Sequence, residues 1–359
     1  MFRKSLAIPC AVAAVLGASG SGVALAGVPM PTVGGKIFAD LTDIEQKNNG
    51  SDTAASGTGL DVKRFYIVVN QKFDDIWSAK LVTDATYNSG QQVDVYMKNA
   101  FLQASLSKAF WARLGEANLP WVPFDEGIYG YRYVENTLID RLHFGTSADW
   151  GAHVGGRLAD GMFSYRVSAV NGAGYKNPTR SKSMDLEARL TYRPLDGVVL
   201  AIGGYTGKLG QDRYASLTPT DHTANRIDAL AAYVGNGLRL GVEYFSANDW
   251  NNVTKAASDK ADGTSVFASY DFTPMWSVFG RWDQAKLSKD LAPGLQDQYF
   301  NVGLAAHPIK NVDVALVYKH EKVDGGASAT ATFATTNGSA FSEIDGKYDE
   351  VGIWTQVAF

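Results

Sequence analysis

The chain has 359 residues, with 33 Lys and Arg against 37 Asp and Glu and a net charge of −4, so it carries no basic surplus of the kind that grips nucleic acid. Its one cysteine, Cys10, argues against a disulfide framework or a cysteine-bound metal. Beyond the N-terminal segment no run of about 18 apolar residues occurs, which excludes a transmembrane helix, while the 37 glycines and 12% aromatics suit strands that alternate between lipid and water.

At the start, Arg3 and Lys4 precede an Ala-rich apolar run from Leu6 to Ala26 that ends in the small-x-small triplet Ala24-Leu25-Ala26. Residues 1–26 therefore read as a signal peptide cut before Gly27. The mature chain, 27–359, then has no cysteine at all.

Alternating segments of about ten residues follow to the end of the chain. They fall near 36–45, 60–72, 75–87, 92–105, 109–117, 148–159, 162–172 and 183–193, then 197–207, 225–235, 238–248, 264–273, 276–287, 297–307, 311–322 and 348–359. Leu186, Ala188, Leu190 and Tyr192, for instance, alternate with Asp185, Glu187, Arg189 and Arg193. The pattern is faintest in the first and fourth segments and in 197–207, and a further alternating piece near 139–146 would raise the count from sixteen to eighteen. Short turns such as Ala159-Asp160-Gly161 and Gly235-Asn236-Gly237 alternate with longer polar links near 46–59, 118–147, 173–182, 208–224, 249–263, 288–296 and 323–347. Only the 88–91 link on the long side is short. The expected fold is an all-β transmembrane antiparallel β-barrel of about sixteen strands, with short periplasmic turns and longer extracellular loops.

The last segment sets the register. Val351, Ile353, Thr355, Val357 and Phe359 share one face, and a terminal aromatic fits a lipid-facing girdle. With Phe359 outward, Glu350 and Gln356 face the lumen. A barrel of this size encloses water, so its solutes are chosen by what faces inward. The inward rows hold Arg64, Lys80, Arg113, Arg157, Arg166, Arg189, Arg226, Arg239, Arg281 and Lys319, with the acids Glu187, Asp228 and Glu243 among them. Two arrangements suit these rows: a basic stripe that attracts anions through guanidinium forks, or a lumen of balanced ion pairs.

The link 118–147 is the longest piece without strand character, and long links in compact folds usually serve function. It carries Trp121, Tyr129, Tyr131 and Tyr133 beside Asp125, Glu126, Arg132, Glu135 and Arg141. Folded inward it narrows a pore and its charges filter ions; folded outward it caps the mouth. No G-x-S-x-G elbow or phosphate-binding loop occurs, and the five histidines are scattered. No catalytic group, cofactor or metal is expected.

Leu114-Gly-Glu-Ala-Asn-Leu-Pro-Trp-Val-Pro-Phe-Asp-Glu126 resembles the strand-to-third-loop segment of the phosphate-selective porin O and P family. Asp149-Trp150-Gly151, Gly155-Gly156, Phe163-Ser164-Tyr165 and Val170-Asn171-Gly172 resemble that family's next hairpin. The resemblance implies a sixteen-stranded, homotrimeric porin of the Gram-negative outer membrane with its third loop folded inward. Where the family commonly has Gly-Gln-Phe-Lys, this chain has Gly115, Glu116, Ala117 and Asn118 and lacks the lysine, which puts phosphate selectivity in question. Three functions are open: passive diffusion of small hydrophilic solutes and ions with a modest anion preference, selective uptake of phosphate or another oxyanion, and a plugged structural or adhesive barrel.

Overall fold

The computed structural model describes residues 29–87, 93–214, 216–326, 333–334, 340–341 and 344–359. The signal peptide read at 1–26 and the link at 88–91 lie outside them. Sixteen strands form the barrel: β1 (Thr32–Asn48), β2 (Gly57–Lys72), β3 (Trp77–Tyr87), β4 (Val93–Ser107), β5 (Phe110–Asn118), β6 (Ala148–Leu158), β7 (Phe163–Val170) and β8 (Asp185–Tyr192). They continue as β9 (Val198–Gly207), β10 (Ala224–Gly235), β11 (Leu238–Asn248), β12 (Lys260–Asp271), β13 (Trp276–Lys286), β14 (Gln296–Ile309), β15 (Val312–Gly326) and β16 (Ile344–Ala358). Each pairs antiparallel with its sequence neighbours, and β1 pairs with β16 from Lys36↔Ala358 to Asn48↔Gly346. The sheet therefore closes on itself and leaves no edge.

Period-2 alternation explains both faces. On β16, Ile353 is 44% exposed on the outside while its neighbour Trp354 is 1% exposed inside. Outward apolar rows such as Leu186 and Leu190 on β8, or Val278 and Trp282 on β13, are exposed along the wall. Inward rows carry the charges and also aromatic rings laid over glycines of the next strand. Phe245 faces Gly263, Phe267 faces Gly241 and Phe279 faces Gly303 across the ladder, and a Cβ on any of these glycines would come within 2.6 Å of the facing ring.

The sheet also departs from strict alternation. Lys63 on β2 and Lys98 on β4 are extra residues in β-bulges, where Arg64 and Val62 pair with consecutive residues of β1, and Asn99 and Met97 with consecutive residues of β3. The piece near 139–146 is no strand: Leu138–Arg141 forms a short helix, α2, after α1 (Val122–Tyr129). The barrel thus has sixteen strands and not eighteen. The 323–347 link is partly strand as well, since β15 runs to Gly326 and β16 starts at Ile344.

Candidate functional site

The segment 118–147 runs inside the barrel. Pro123 near the start of α1 supplies a fixed φ, and Gly130 ends the helix at φ 85°, a left-handed conformation that glycine adopts freely. Beyond it the rings pack onto the wall: Tyr131 stacks on Phe279 at 4.0 Å, Tyr129 meets Phe267 edge-on at 5.4 Å and Phe144 meets Phe245 at 4.9 Å. Trp121 lies over Gly203 of β9, where a Cβ would come 2.5 Å from the indole. The apolar core of the molecule is this contact between loop and inner wall.

Polar ties fix the same contact. Arg141 of the loop, fully buried, spans three carboxylates: Asp283 at 3.1 Å, Asp297 at 2.5 Å and Glu321. Arg281 binds Asp283 through two nitrogens and donates to the Asn136 carbonyl at 2.5 Å. Lys319 joins loop Glu135 at 3.3 Å to Glu350 at 3.1 Å. Arg226 pairs with Asp228 at 2.7 Å, reaches Glu187 at 3.5 Å and donates to the Phe144 carbonyl. Arg239 donates to the Ile128 carbonyl at 3.0 Å. Glu187 and Glu243 accept from the main-chain and indole N–H of Trp121 at 2.8 and 3.0 Å. Asp125 is buried beside Glu243 and Thr137, and burial pushes its carboxyl up to about 6 against the pull of Thr137, Glu243 and Arg281.

The opposite wall is different. Arg113, Arg157, Arg166 and Arg189 come from four consecutive strands, β5 to β8, and Arg193 follows β8. With Trp111, Phe124 and Lys108 they line a cavity of about 1110 Å³ at the short-turn end, where Asp160 is the one acid in the lining. Among the described residues none of these five arginines forms an ion pair. Arg166 and Arg189 are direct cross-strand partners, a like-charge placement that normally destabilises a sheet. Aromatic rings flank three of the five: Arg113 lies 4.2 Å from the centre of Trp111 and 4.7 Å from Phe101, Arg166 5.6 Å from Trp111, and Arg189 3.7 Å from Phe124. Arg189 also donates to the Pro120 carbonyl at 2.7 Å, and Arg113 to Gln103 at 2.5 Å.

No protein-family model and no curated protein matches the chain. Among solved structures, the outer membrane channel DcaP of Acinetobacter baumannii is similar at 14% identity and a TM-score of 0.63, over 92% of this chain and 97% of that one. The anion-selective porin from Comamonas acidovorans is similar at 11% identity and 0.66, over 92% and 99%. Salmonella typhi OmpF is similar at 15% identity and 0.60, over 92% and 97%. The chain has the porin fold.

Within that porin barrel the predicted inward residues divide into two groups. Arg226, Arg239, Arg281, Lys319, Glu187, Asp228 and Glu243 are in contact with the third loop or with one another beneath it. Arg113, Arg157, Arg166 and Arg189 face the cavity, and Lys80 lies within electrostatic reach of Arg113. Arg64 stands apart, 3.6 Å from Asp84. In the loop, Arg141 and Glu135 anchor to the wall, while Arg132 pairs with Glu126 and, at 3.8 Å, with Asp140. Asp297 and Glu321 were missed, although each continues an inward row of its strand. Lys98 was missed because its bulge breaks the row.

Proposed function

We propose that this chain is a porin of the Gram-negative outer membrane, through which small hydrophilic solutes and ions diffuse with a preference for anions. The third loop is its constriction. The observation that carries the preference is the run of five arginines without ion pairs on one wall, set against paired charges on the other. Unpaired guanidinium groups in a water-filled cleft raise the local concentration of anions and oppose cations. The cleft of about 1110 Å³ beside them favours an open channel over a plugged barrel. The fold shared with an anion-selective porin agrees with this reading. Export through a leader at 1–26 and assembly as a homotrimer belong to the same reading.

Reversal potential in a planar bilayer under a potassium chloride gradient tests it. The expected sign shows chloride more permeant than potassium, and Arg166→Gln with Arg189→Gln lowers the ratio. A potassium-preferring channel defeats the proposal. Selective phosphate uptake finds no separate support, because the lysine that the resemblance requires is absent.

A further inference from the structure

A second cationic group stands away from the arginine wall, toward the long-loop end of β2 to β4. The bulge in β4 makes Lys98 the extra residue between Met97 and Asn99. Its ammonium donates to the Tyr66 hydroxyl at 3.3 Å and lies 5.0 and 5.5 Å from the ring centres of Tyr66 and Tyr175. Lys176, next to Tyr175, lies 4.9 Å from the ring centre of Tyr96, and Tyr96 and Tyr175 are 5.5 Å apart. The segment that carries Tyr175 is pinned by backbone hydrogen bonds, Gly174 N–H to Asp149 at 3.1 Å and Tyr175 N–H to the Ala148 carbonyl at 3.1 Å.

The three nearby acids are already bonded to arginines, two of them to the same one. Arg64 pairs with Asp84, which also accepts from the Tyr96 hydroxyl at 3.3 Å, and Arg132 pairs with Glu126 and Asp140. Among the described residues Lys98 and Lys176 have no ion pair. Ring faces attract an ammonium without cancelling its charge. Tyr66, which accepts from Lys98, keeps its own proton to donate, and the Tyr175 hydroxyl has no hydrogen-bond partner among the described residues. The groups left over are therefore two ammoniums and two phenols, all donors, and anionic oxygens are their natural complement. Four cations stand against three acids here, a net charge of +1, and the two ammoniums without ion pairs offer a dianion one contact for each of its charges.

We propose that Lys98, Lys176 and the hydroxyls of Tyr66 and Tyr175 form a binding station for a compact dianion entering from the long-loop mouth. The station rests on the channel reading and is separate from the arginine wall at the short-turn end. The test is block of chloride current in bilayers by malonate and by sulfate, with acetate as the monovalent control. Both dianions should block wild-type channels more strongly than acetate, and more strongly from the long-loop side. Lys98→Met should raise the half-blocking concentration about tenfold, the equivalent of one lost charge-assisted contact. Lys98→Arg should retain the block, Tyr175→Phe should weaken it less, and Arg166→Gln should weaken it less than Lys98→Met does. If only malonate or only sulfate blocks, the station still stands and its ligand narrows to carboxylates or to tetrahedral oxyanions. Unaltered block in Lys98→Met channels that conduct chloride normally overturns the station while the channel reading stands. Loss of block in Arg166→Gln but not in Lys98→Met overturns it equally. Should Lys98→Met insert no channels, Tyr175→Phe decides, and unchanged block there overturns the station. A wild-type channel that prefers potassium overturns both readings.

Discussion

A buried charge survives only where its surroundings replace the water it lost, and the loop residues show two ways to do so. Arg141 has three carboxylates around it, so each of its nitrogens faces an acceptor. Among the described residues no cation is bonded to Asp125, and burial raises its carboxyl to about 6 from an ordinary 3.8. A carboxyl raised in the folded state binds a proton there more readily than in the released loop. Its contribution is therefore full below about 3.8 and is lost as the pH climbs through about 6. Replacing Asp125 by Asn keeps the shape and removes the charge. The expected result is a melting temperature that falls between pH ~4 and pH ~7 in the native protein and falls less in Asp125→Asn, whose stability at neutral pH is the higher. Equal pH profiles for the two proteins would show that Asp125 does not hold a proton in the docked loop.

In the channel proposed above the third loop narrows the barrel, because it packs on the wall from β8 to β15 and leaves the arginines of β5 to β8 facing the cleft. Deleting 121–137 removes α1 and its aromatic anchors while the strands stay paired, so single-channel conductance should rise; an unchanged step size would remove the loop from the constriction. Much of this element was legible in advance. The length of 118–147, its rings and its charges marked it, and inward parity set Arg281, Lys319 and Glu243 on the face that the structure buries. What no local pattern shows is which of them meet. Arg141 and Glu321 are 180 residues apart, and only closure of the barrel brings them together. Parity itself fails at a bulge: on β4 the exposed row is Val93, Val95 and Met97, then shifts to Leu102 and Leu106. The strand looked faint for that reason, and Lys98 sat at the break.

At the scale of the whole molecule everything depends on one seam. β16 must find β1, the partner farthest from it in sequence, before any interior exists for the loop to fill. The seam ends in two main-chain hydrogen bonds between Gly35 and Phe359, 2.8 and 3.1 Å long. The Phe359 ring rests on the bare face of Gly35, where an added Cβ would come 2.4 Å from the ring and 2.8 Å from the Tyr66 carbonyl. Position 35 therefore accepts no side chain without moving either the terminal ring or the β2 backbone. Gly35→Val should destabilise closure by about 1–3 kcal/mol, the usual range for overpacking, and lower the fraction that refolds into a heat-modifiable barrel in detergent. Adding Phe359→Ala should restore part of that fraction, because it clears the ring and leaves the carbonyl. Gly59→Val on β2 is the control, since nothing lies within 4 Å of a Cβ there. If Gly59→Val and Gly35→Val refold equally well, the terminal phenylalanine is not seated on the first strand as the structure has it.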